Sequence, residues 1–165
     1  MRLLIIRHAI AVARGTPDIA DEDRPLTRKG ERRFRQAARG LARIETRPDV
    51  LLTSPLPRAR QTAEIAAAAW GGKIKPKKSD VFAGGSFTEI AGILDKLPRD
   101  ATVAVVGHEP DVSDLLAAIL GSKDTAAFAF KKGGVAAVEV AGPLGQGGSL
   151  LWAMPPRLLR RLGRR

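Results

Sequence analysis

Cysteine and tyrosine are both absent from this 165-residue chain, and aromatic residues make up only 4% of it. The lack of cysteine excludes disulfides, cysteine nucleophiles and thiolate metal sites. It is typical of a reducing compartment, so we expect a cytoplasmic protein. Long apolar runs are missing as well. At the N-terminus, Arg7 interrupts the apolar residues too early for the hydrophobic region of a signal peptide. No stretch approaches the ~20 apolar residues of a membrane span, and we expect a soluble protein with no membrane partner.

Acidic residues are the scarcer charge: 17 of them stand against 28 basic residues, which leaves a net charge of +11. Such an excess favours polyanionic partners, namely nucleic acid, an anionic membrane, polyphosphate or an acidic protein. Single strands are recognised by stacking on aromatic side chains, which are nearly absent here. Zinc-finger, RRM and KH motifs are missing too. We therefore expect a solvated basic surface and no nucleic-acid partner.

Apolar runs alternate with helix signals along the chain. Helices are predicted after the N-cap Thr27 to about Glu45, from Pro57 through Trp70, after the capping-box residue Ser86, and from Pro110 to a stop at Gly121. Strands are predicted at 3–6, 50–53, 74–77, 102–106, 126–130, 135–140 and 149–153. This alternation predicts an α/β domain with a mostly parallel sheet.

The length fits a single domain, and no composition shift marks an internal boundary. We place the domain at residues 1–154 and a basic C-terminal tail at 155–165. The arginines of that tail are Arg157, Arg160, Arg161, Arg164 and Arg165.

The chain has only two histidines, His8 and His108, and each stands one or two residues past a predicted strand. In open α/β sheets, ligands bind beyond the carboxyl ends of the strands. Arg7 accompanies His8, and the strand at 50–53 leads towards Arg58. We expect these four side chains to face one crevice.

Two guanidinium groups and two imidazoles make a poor metal site, since arginine does not ligate metals and its charge repels cations. They suit a phosphate, whose oxygens accept bidentate hydrogen bonds from arginine. A neutral imidazole is also an effective nucleophile. Taken singly, either histidine could be a structural strand-end residue, and Arg58 could be a surface residue; their combination points to function.

Four motifs carry a resemblance to a known family. They are Arg7-His8-Ala9, the segment from Arg24 to Gly30, the segment from Ser54 to Glu64, and the segment from Val106 to Pro110. In this order they resemble the histidine phosphatase (phosphoglycerate mutase-like) superfamily. The short SixA-type branch, known as phosphohistidine phosphatases, is the most similar.

The resemblance implies a phosphoglycerate mutase-like fold, a three-layer α/β/α sandwich. It implies that His8 becomes phosphorylated, and that Arg7, Arg58 and His108 bind the phosphoryl oxygens. The backbone N–H of Glu109 is a further expected donor. No metal or cofactor is implied. The implied activity is hydrolysis of phosphohistidine on a protein, a phosphotransfer protein being one candidate substrate.

The sequence departs from larger family members in two ways. Ala9 replaces a common glycine, and no lid insertion separates Thr62 from Thr102, where larger members keep an acidic general acid. The carboxylates near these segments are Asp18, Asp21, Glu22, Asp23, Asp80 and Glu89. We expect them to be solvated charges or caps. Hydrolysis is favoured over mutase activity, because a mutase must shield its intermediate from water.

Two alternative functions fit the same residues. One is a broad phosphomonoesterase acting on small phosphate esters. The other is a non-catalytic module that binds phosphate or polyanions through its basic surface. The intact set of two histidines and two arginines disfavours the second. The sequence leaves the physiological substrate, the general acid and the oligomeric state open.

Overall fold

The computed structural model describes residues 1–164, which form a six-stranded sheet with helices on both faces. The strands are β1 (Arg2–Arg7), β2 (Val50–Thr53), β3 (Lys77–Lys78), β4 (Thr102–Gly107), β5 (Val135–Glu139) and β6 (Ser149–Met154). The helices are α1 (Arg28–Ile44), α2 (Pro57–Ala69), α3 (Phe87–Leu94), α4 (Asp111–Ile119) and α5 (Pro156–Leu162). Over this range, no helix is long and apolar enough to cross a membrane.

The sheet order is β3-β2-β4-β1-β5-β6. Strands β3, β2, β4 and β1 pair in parallel, whereas β5 and β6 pair antiparallel at one side. Strand β1 is central, and its successive side chains point to opposite faces. Leu4 and Ile6 pack in one apolar cluster with α1, α2 and α5, while Leu3 and Ile5 pack in a second cluster with α3 and α4. The predicted three-layer α/β/α arrangement around a mostly parallel sheet is confirmed.

The strand register places three chain segments at one edge of the sheet. Arg7 at the end of β1 pairs with Gly107 at the end of β4, and Thr53 at the end of β2 pairs with Val106. The residues that follow these strands are His8, His108 and Ser54. They therefore emerge side by side at the carboxyl edge.

Most helix boundaries agree with the sequence signals. The Thr27 side chain accepts a hydrogen bond from the Gly30 N–H at 2.9 Å and begins α1 as predicted. The predicted capping box of α3 is present, with Ser86 as the N-cap and the Glu89 side chain accepting the Ser86 N–H at 2.8 Å. The edge strand expected at 74–77 occupies only Lys77–Lys78. Pairing begins after Pro76, because proline has no N–H to donate to the ladder.

The strand predicted at 126–130 is wrong, since this segment holds a short 3₁₀ turn, Ala126–Phe128. A short apolar run does not distinguish a strand from a turn that buries one large side chain. Here Phe130 is the buried residue, while Ala127 and Ala129 are exposed.

The segment expected to be a basic tail is helical over Pro156–Leu162 and packs against α1. Leu159 is fully buried between the two helices. Two glycines allow the close approach: a Cβ on Gly40 would lie 1.9 Å from the Leu159 carbonyl oxygen, and one on Gly163 would lie 2.0 Å from that of Gln36. Arg165 lies outside the described residues.

We expect Gly40→Ala to destabilise the protein, because the added methyl group meets backbone that cannot move without separating α1 from α5. The expected loss is about 1–3 kcal/mol in the free energy of unfolding, measured by urea denaturation. Gly92→Ala in α3 is the matched control, since a Cβ there has no atom within 4 Å. It should stabilise the helix slightly. Equal effects of the two substitutions would contradict the packing argument.

Candidate active site

A cavity of about 300 Å³ opens at the carboxyl edge of the sheet. Its lining residues are Arg7, His8, Ala13, Arg14, Arg24, Arg58, His108, Glu109 and Lys132. The structure thus brings together all the residues that the sequence placed in one crevice. The four central side chains come from three segments: Arg7 and His8 from the end of β1, Arg58 from the first turn of α2, and His108 from the loop after β4.

His8 is buried, and its orientation is set by its own backbone. Its Nδ1 lies 2.7 Å from the carbonyl oxygen of Ala9, which can only accept a hydrogen bond. Nδ1 therefore carries the proton, and Nε2 of the neutral ring keeps a free lone pair. Burial lowers the pKa of His8 to about 3, and the charges of His108, Arg58 and Arg7 act in the same direction. The ring is thus neutral at physiological pH.

His108 faces His8, with the two ring centroids 5.1 Å apart. Its Nε2 lies 2.7 Å from Oγ of Ser54, and that Oγ also accepts the Leu56 N–H at 3.2 Å. When the Ser54 hydroxyl donates to Nε2, Nδ1 is the protonated nitrogen of the neutral ring. Burial, followed by the charges of Arg58 and Arg24, lowers the pKa of His108 to about 4.

Arg58 is buried in the first turn of α2 and is held from two sides. Its Nη1 donates to the Asp21 carbonyl at 2.7 Å, and its Nη2 lies 3.6 Å from the Asp21 carboxylate. Thr62 donates to the Arg58 carbonyl at 2.6 Å and accepts the Ala9 N–H at 3.0 Å. This threonine fixes the start of α2 against the residue that follows His8.

Arg7 and Glu109 are connected through the backbone of Phe130. The Arg7 Nη1 donates to the Phe130 carbonyl, and the Phe130 N–H donates to Glu109 Oε1 at 2.6 Å. Glu109 Oε2 accepts the Ser113 hydroxyl at 2.6 Å. Burial lowers the pKa of Arg7, and the Glu109 carboxylate opposes that shift. The Glu109 N–H has no protein acceptor within residues 1–164, and its role as a phosphate donor stays a prediction.

Asp21 was expected to be a solvated charge or a cap; its side chain is 41% exposed, and it also connects three arginines. Its Oδ1 accepts hydrogen bonds from Arg14 Nε at 2.8 Å and Arg24 Nε at 2.9 Å, and its Oδ2 faces Arg58. The hydrogen bond from Arg14, followed by that from Arg24, lowers the pKa of the carboxyl group. Asp21 is therefore a poor proton donor and a positioning residue for the arginines.

Sequence reasoning also missed Arg24, Ser54, Thr62 and Lys132 as parts of this site. The first three stand inside motifs that the sequence analysis quoted, so the motif itself was a usable signal. Lys132 and Asp21 have no local signal. Their positions depend on how two loops fold over the carboxyl edge.

The charge and the unpartnered polar atoms of the cavity suit an oxyanion. Five of its lining side chains are cationic guanidinium or ammonium groups, against the single carboxylate of Glu109. Arg7 Nε, Arg58 Nε and His108 Nδ1 are buried and have no hydrogen-bond partner within the described chain. Buried donors of this kind are costly unless an acceptor reaches them. The described part of the chain contains no group of three or more His, Cys, Asp or Glu residues suited to a metal ion.

Because both histidines are held neutral, we expect acid to destabilise the fold. The unfolded chain binds a proton at each histidine below pH 6.5, whereas the folded pKa values are about 3 and about 4. Between pH 6.5 and 4 the unfolded state therefore binds more protons, and the free energy of unfolding falls as the pH drops. We expect a loss of about 2 kcal/mol per histidine between pH 7 and pH 5. Urea denaturation in buffers free of phosphate and sulfate measures it.

The variants His8→Gln and His108→Asn are the controls for this pH dependence. Each removes one titrating group, so each should remove about half of the loss between pH 7 and pH 5. A wild-type curve with the same slope as both variants would show that the histidines are not the groups that bind the protons.

Comparisons with known proteins agree with this geometry. The profile of the Histidine phosphatase superfamily (branch 1) matches residues 3–92. An uncharacterized protein of Picosynechococcus sp. is 38% identical over 138 residues, which is 82% of each chain. The solved structure of the protein histidine phosphatase SixA complexed with tungstate is 26% identical, with a TM-score of 0.83 over 96% of this chain and 99% of that one.

A second solved structure, of a protein described as a SixA phosphohistidine phosphatase from Agrobacterium tumefaciens, is also 26% identical. It has a TM-score of 0.77 and covers 94% of this chain and 97% of its own. These similarities extend over β4 and His108, which lie beyond the residues that the family profile matches. With its phosphoglycerate mutase-like fold, this chain belongs to the histidine phosphatase superfamily, branch 1.

Proposed function

We propose that this protein hydrolyses phosphohistidine on a protein substrate through a phosphorylated His8 intermediate. The observation that carries the proposal is the neutral His8 ring, whose Nε2 is unprotonated inside a cationic cavity. Members of the superfamily are metal-independent phosphohydrolases. The SixA neighbour forms a complex with tungstate, a tetrahedral oxyanion like phosphate.

In the first step, His8 Nε2 attacks the phosphorus atom and the bond from phosphorus to the substrate nitrogen breaks. The phosphoryl oxygens receive hydrogen bonds from Arg7 and Arg58, from the Nδ1 proton of His108, and from the Glu109 N–H. Preorganised donors of this kind stabilise the charge of the in-line transition state, which is most of what phosphoryl transfer requires.

In the second step, water attacks the phosphorus atom of phosphorylated His8. The nitrogen–phosphorus bond breaks, inorganic phosphate leaves, and the neutral His8 ring is restored. The hydrogen bond from Nδ1 to the Ala9 carbonyl holds the ring in one orientation through both steps. His8 thus divides one displacement into two.

The cavity supports a protein substrate because it is open. Its rim residues Ala13, Arg14 and Lys132 are exposed, and no lining residue comes from the segment between Arg58 and His108. An open site admits a side chain on a folded protein, whereas an enclosed pocket suits a small metabolite. The leaving imidazole can take up a proton at its second nitrogen, so a dedicated carboxylic acid matters less than for an alkoxide.

The test compares kcat/KM for a phosphohistidine protein, a phosphoserine peptide and p-nitrophenyl phosphate in excess EDTA. We expect the phosphohistidine protein to be the best substrate and the activity to survive EDTA. The basic surface should raise the encounter rate with acidic proteins at low salt. The advantage should therefore shrink as salt rises.

The control is His8→Gln, which keeps the volume of the side chain and should be inactive on all three substrates. Near-normal activity in that variant would refute His8 as the nucleophile. Faster hydrolysis of a small ester than of every phosphohistidine protein would leave a phosphatase but refute the phosphohistidine assignment. Loss of activity in EDTA that a divalent ion restores would refute the metal-independent mechanism.

A further inference from the structure

A second cavity of about 400 Å³ lies beside the active-site cavity, between α1, α5 and the loop that precedes β5. Its lining residues are Arg7, Ala9, Ile10, Gly30, Arg33, Phe34, Lys131, Lys132, Pro156 and Arg160. We call it the cationic groove, after Arg33, Lys131, Lys132 and Arg160. It shares the lining residues Arg7 and Lys132 with the active-site cavity, so the two cavities are adjacent.

Backbone contacts fix each wall of the cationic groove. A Cβ on Gly30 would lie 2.0 Å from the Ile10 carbonyl oxygen, so the start of α1, and Arg33 with it, sits tightly on the loop after His8. The Gly133 N–H donates to the carbonyls of Arg7 and His8, at 3.1 and 3.0 Å, and anchors the two lysines. The close packing of α5 on α1 at Gly40 holds Arg160 opposite Arg33.

Among residues 1–164, the groove brings four cationic side chains together without carboxylates to pair with them. No carboxylate lines it, and none lies within 4 Å of the cationic groups of its four naming residues in the part of the chain that the structure describes. Burial lowers the pKa of Arg160, and repulsion from Arg33, Arg164 and Arg157 lowers it further. An anionic partner would relieve this repulsion, and like charges held in a concave surface attract counter-charges strongly.

The chemistry of the groove favours carboxylates on a protein. Arg33 and both lysines are exposed, so their charges reach a partner that stays outside the pocket. The groove's one aromatic side chain, Phe34, is buried and cannot stack on a nucleobase. A side chain that enters the active-site cavity also brings its neighbouring surface over the groove, because the two cavities are adjacent and share Arg7 and Lys132 as lining residues.

We propose that the cationic groove is a docking surface for acidic side chains that flank the phosphorylated residue of the protein substrate. The proposal rests on the proposed function and adds the partner's chemistry: a phosphohistidine protein with an acidic patch beside the modified histidine. Docking would raise affinity and encounter rate for that protein, and would leave the chemical step unchanged.

The test is the double variant Arg33→Gln/Arg160→Gln, which neutralises two groove residues outside the active-site cavity. The control is Lys73→Gln/Lys75→Gln, which removes the same charge from exposed residues beside the start of β2, at the opposite edge of the sheet. Both are assayed on an acidic phosphohistidine protein, p-nitrophenyl phosphate and a small bisphosphate, with thermal unfolding as the measure of folding.

We expect the groove variant to lose about tenfold or more in kcat/KM for the phosphohistidine protein, mainly through KM. Its activity on p-nitrophenyl phosphate and the bisphosphate should stay within about twofold of wild type, as should the control variant on all substrates. The loss should shrink as salt rises, since exposed charges are screened.

Four results would overturn the docking surface. They are unchanged kinetics on the phosphohistidine protein, an equal loss in the control variant, an equal loss on p-nitrophenyl phosphate in a normally folded variant, and a loss confined to the bisphosphate. The last would identify a subsite for a second phosphate group. A wild-type protein that hydrolyses p-nitrophenyl phosphate but no phosphohistidine protein would refute the proposed function, and the docking surface with it.

Discussion

His8→Ala is expected to abolish turnover while leaving the fold intact. In the proposed mechanism this side chain supplies the attacking Nε2, and the Ala9 carbonyl holds the ring through its protonated Nδ1. The second histidine of the cavity, His108, is instead engaged through its Nε2 by Ser54. Removing a nucleophile typically lowers kcat by several orders of magnitude, about 10⁶-fold in a well-studied hydrolase. Rapid quench of the wild type with labelled substrate should trap phosphate on the protein that is labile in acid and stable in base.

The matched control for this experiment is His108→Ala, which removes the other histidine 5.1 Å away. It should still form the labelled intermediate, only more slowly, because His108 donates a hydrogen bond and does not accept the phosphoryl group. Thermal unfolding should show that both variants are folded. Label in His8→Ala, or its absence in the wild type under rapid quench, would rule out the covalent mechanism.

Arg58→Ala is expected to lower kcat by about 10²-fold or more, by analogy with the loss of one preorganised donor to a developing charge. Arg58 is buried, and its guanidinium group is already held by Asp21 before substrate binds. Arg58→Lys should restore only part of the activity, since lysine lacks the planar fork that binds two oxygens. Steady-state kinetics on the best substrate separates kcat from KM.

Arg60→Ala is the matched control, because Arg60 lies in the same helix and, within residues 1–164, pairs only with the exposed Glu64, at 3.7 Å. Such surface pairs contribute little, and we expect kcat to stay near the wild-type value. A rise in KM alone for Arg58→Ala would mean that Arg58 binds substrate equally in the ground and transition states. That outcome would contradict its role as a transition-state donor.

The sequence predicted the starts of α1 to α4 and the central strands correctly, because interactions between residues close in sequence decide where these elements form. Thr27 begins α1 through a hydrogen bond to a residue three positions away, and the box of Ser86 and Glu89 begins α3 in the same way. The apolar runs of β1 and β4 are buried on both faces, as a central parallel strand requires. The strand prediction at 126–130 was wrong because residues distant in sequence decide the structure of this segment. Its burial depends on Phe130 reaching a core that the local sequence does not describe.

The sequence by itself predicted which residues would meet in the candidate site, and that strand ends would present them there. Arg7, His8, Arg58 and His108 follow from residue type, motif and the rule that parallel strands place their carboxyl ends at one edge. The separation of the two histidine rings, by contrast, depends on the register between β1 and β4, which pairs Arg7 with Gly107.

Only the tertiary structure decided what surrounds those residues. Asp21 reaches Arg58 across 37 positions of sequence, Phe130 reaches Arg7 across 123, and α5 brings Arg160 to Arg33. No local pattern encodes such contacts, because they arise when distant segments meet over the carboxyl edge. The low pKa values of both histidines have the same origin: burial and neighbouring charges are properties of the assembled cavity.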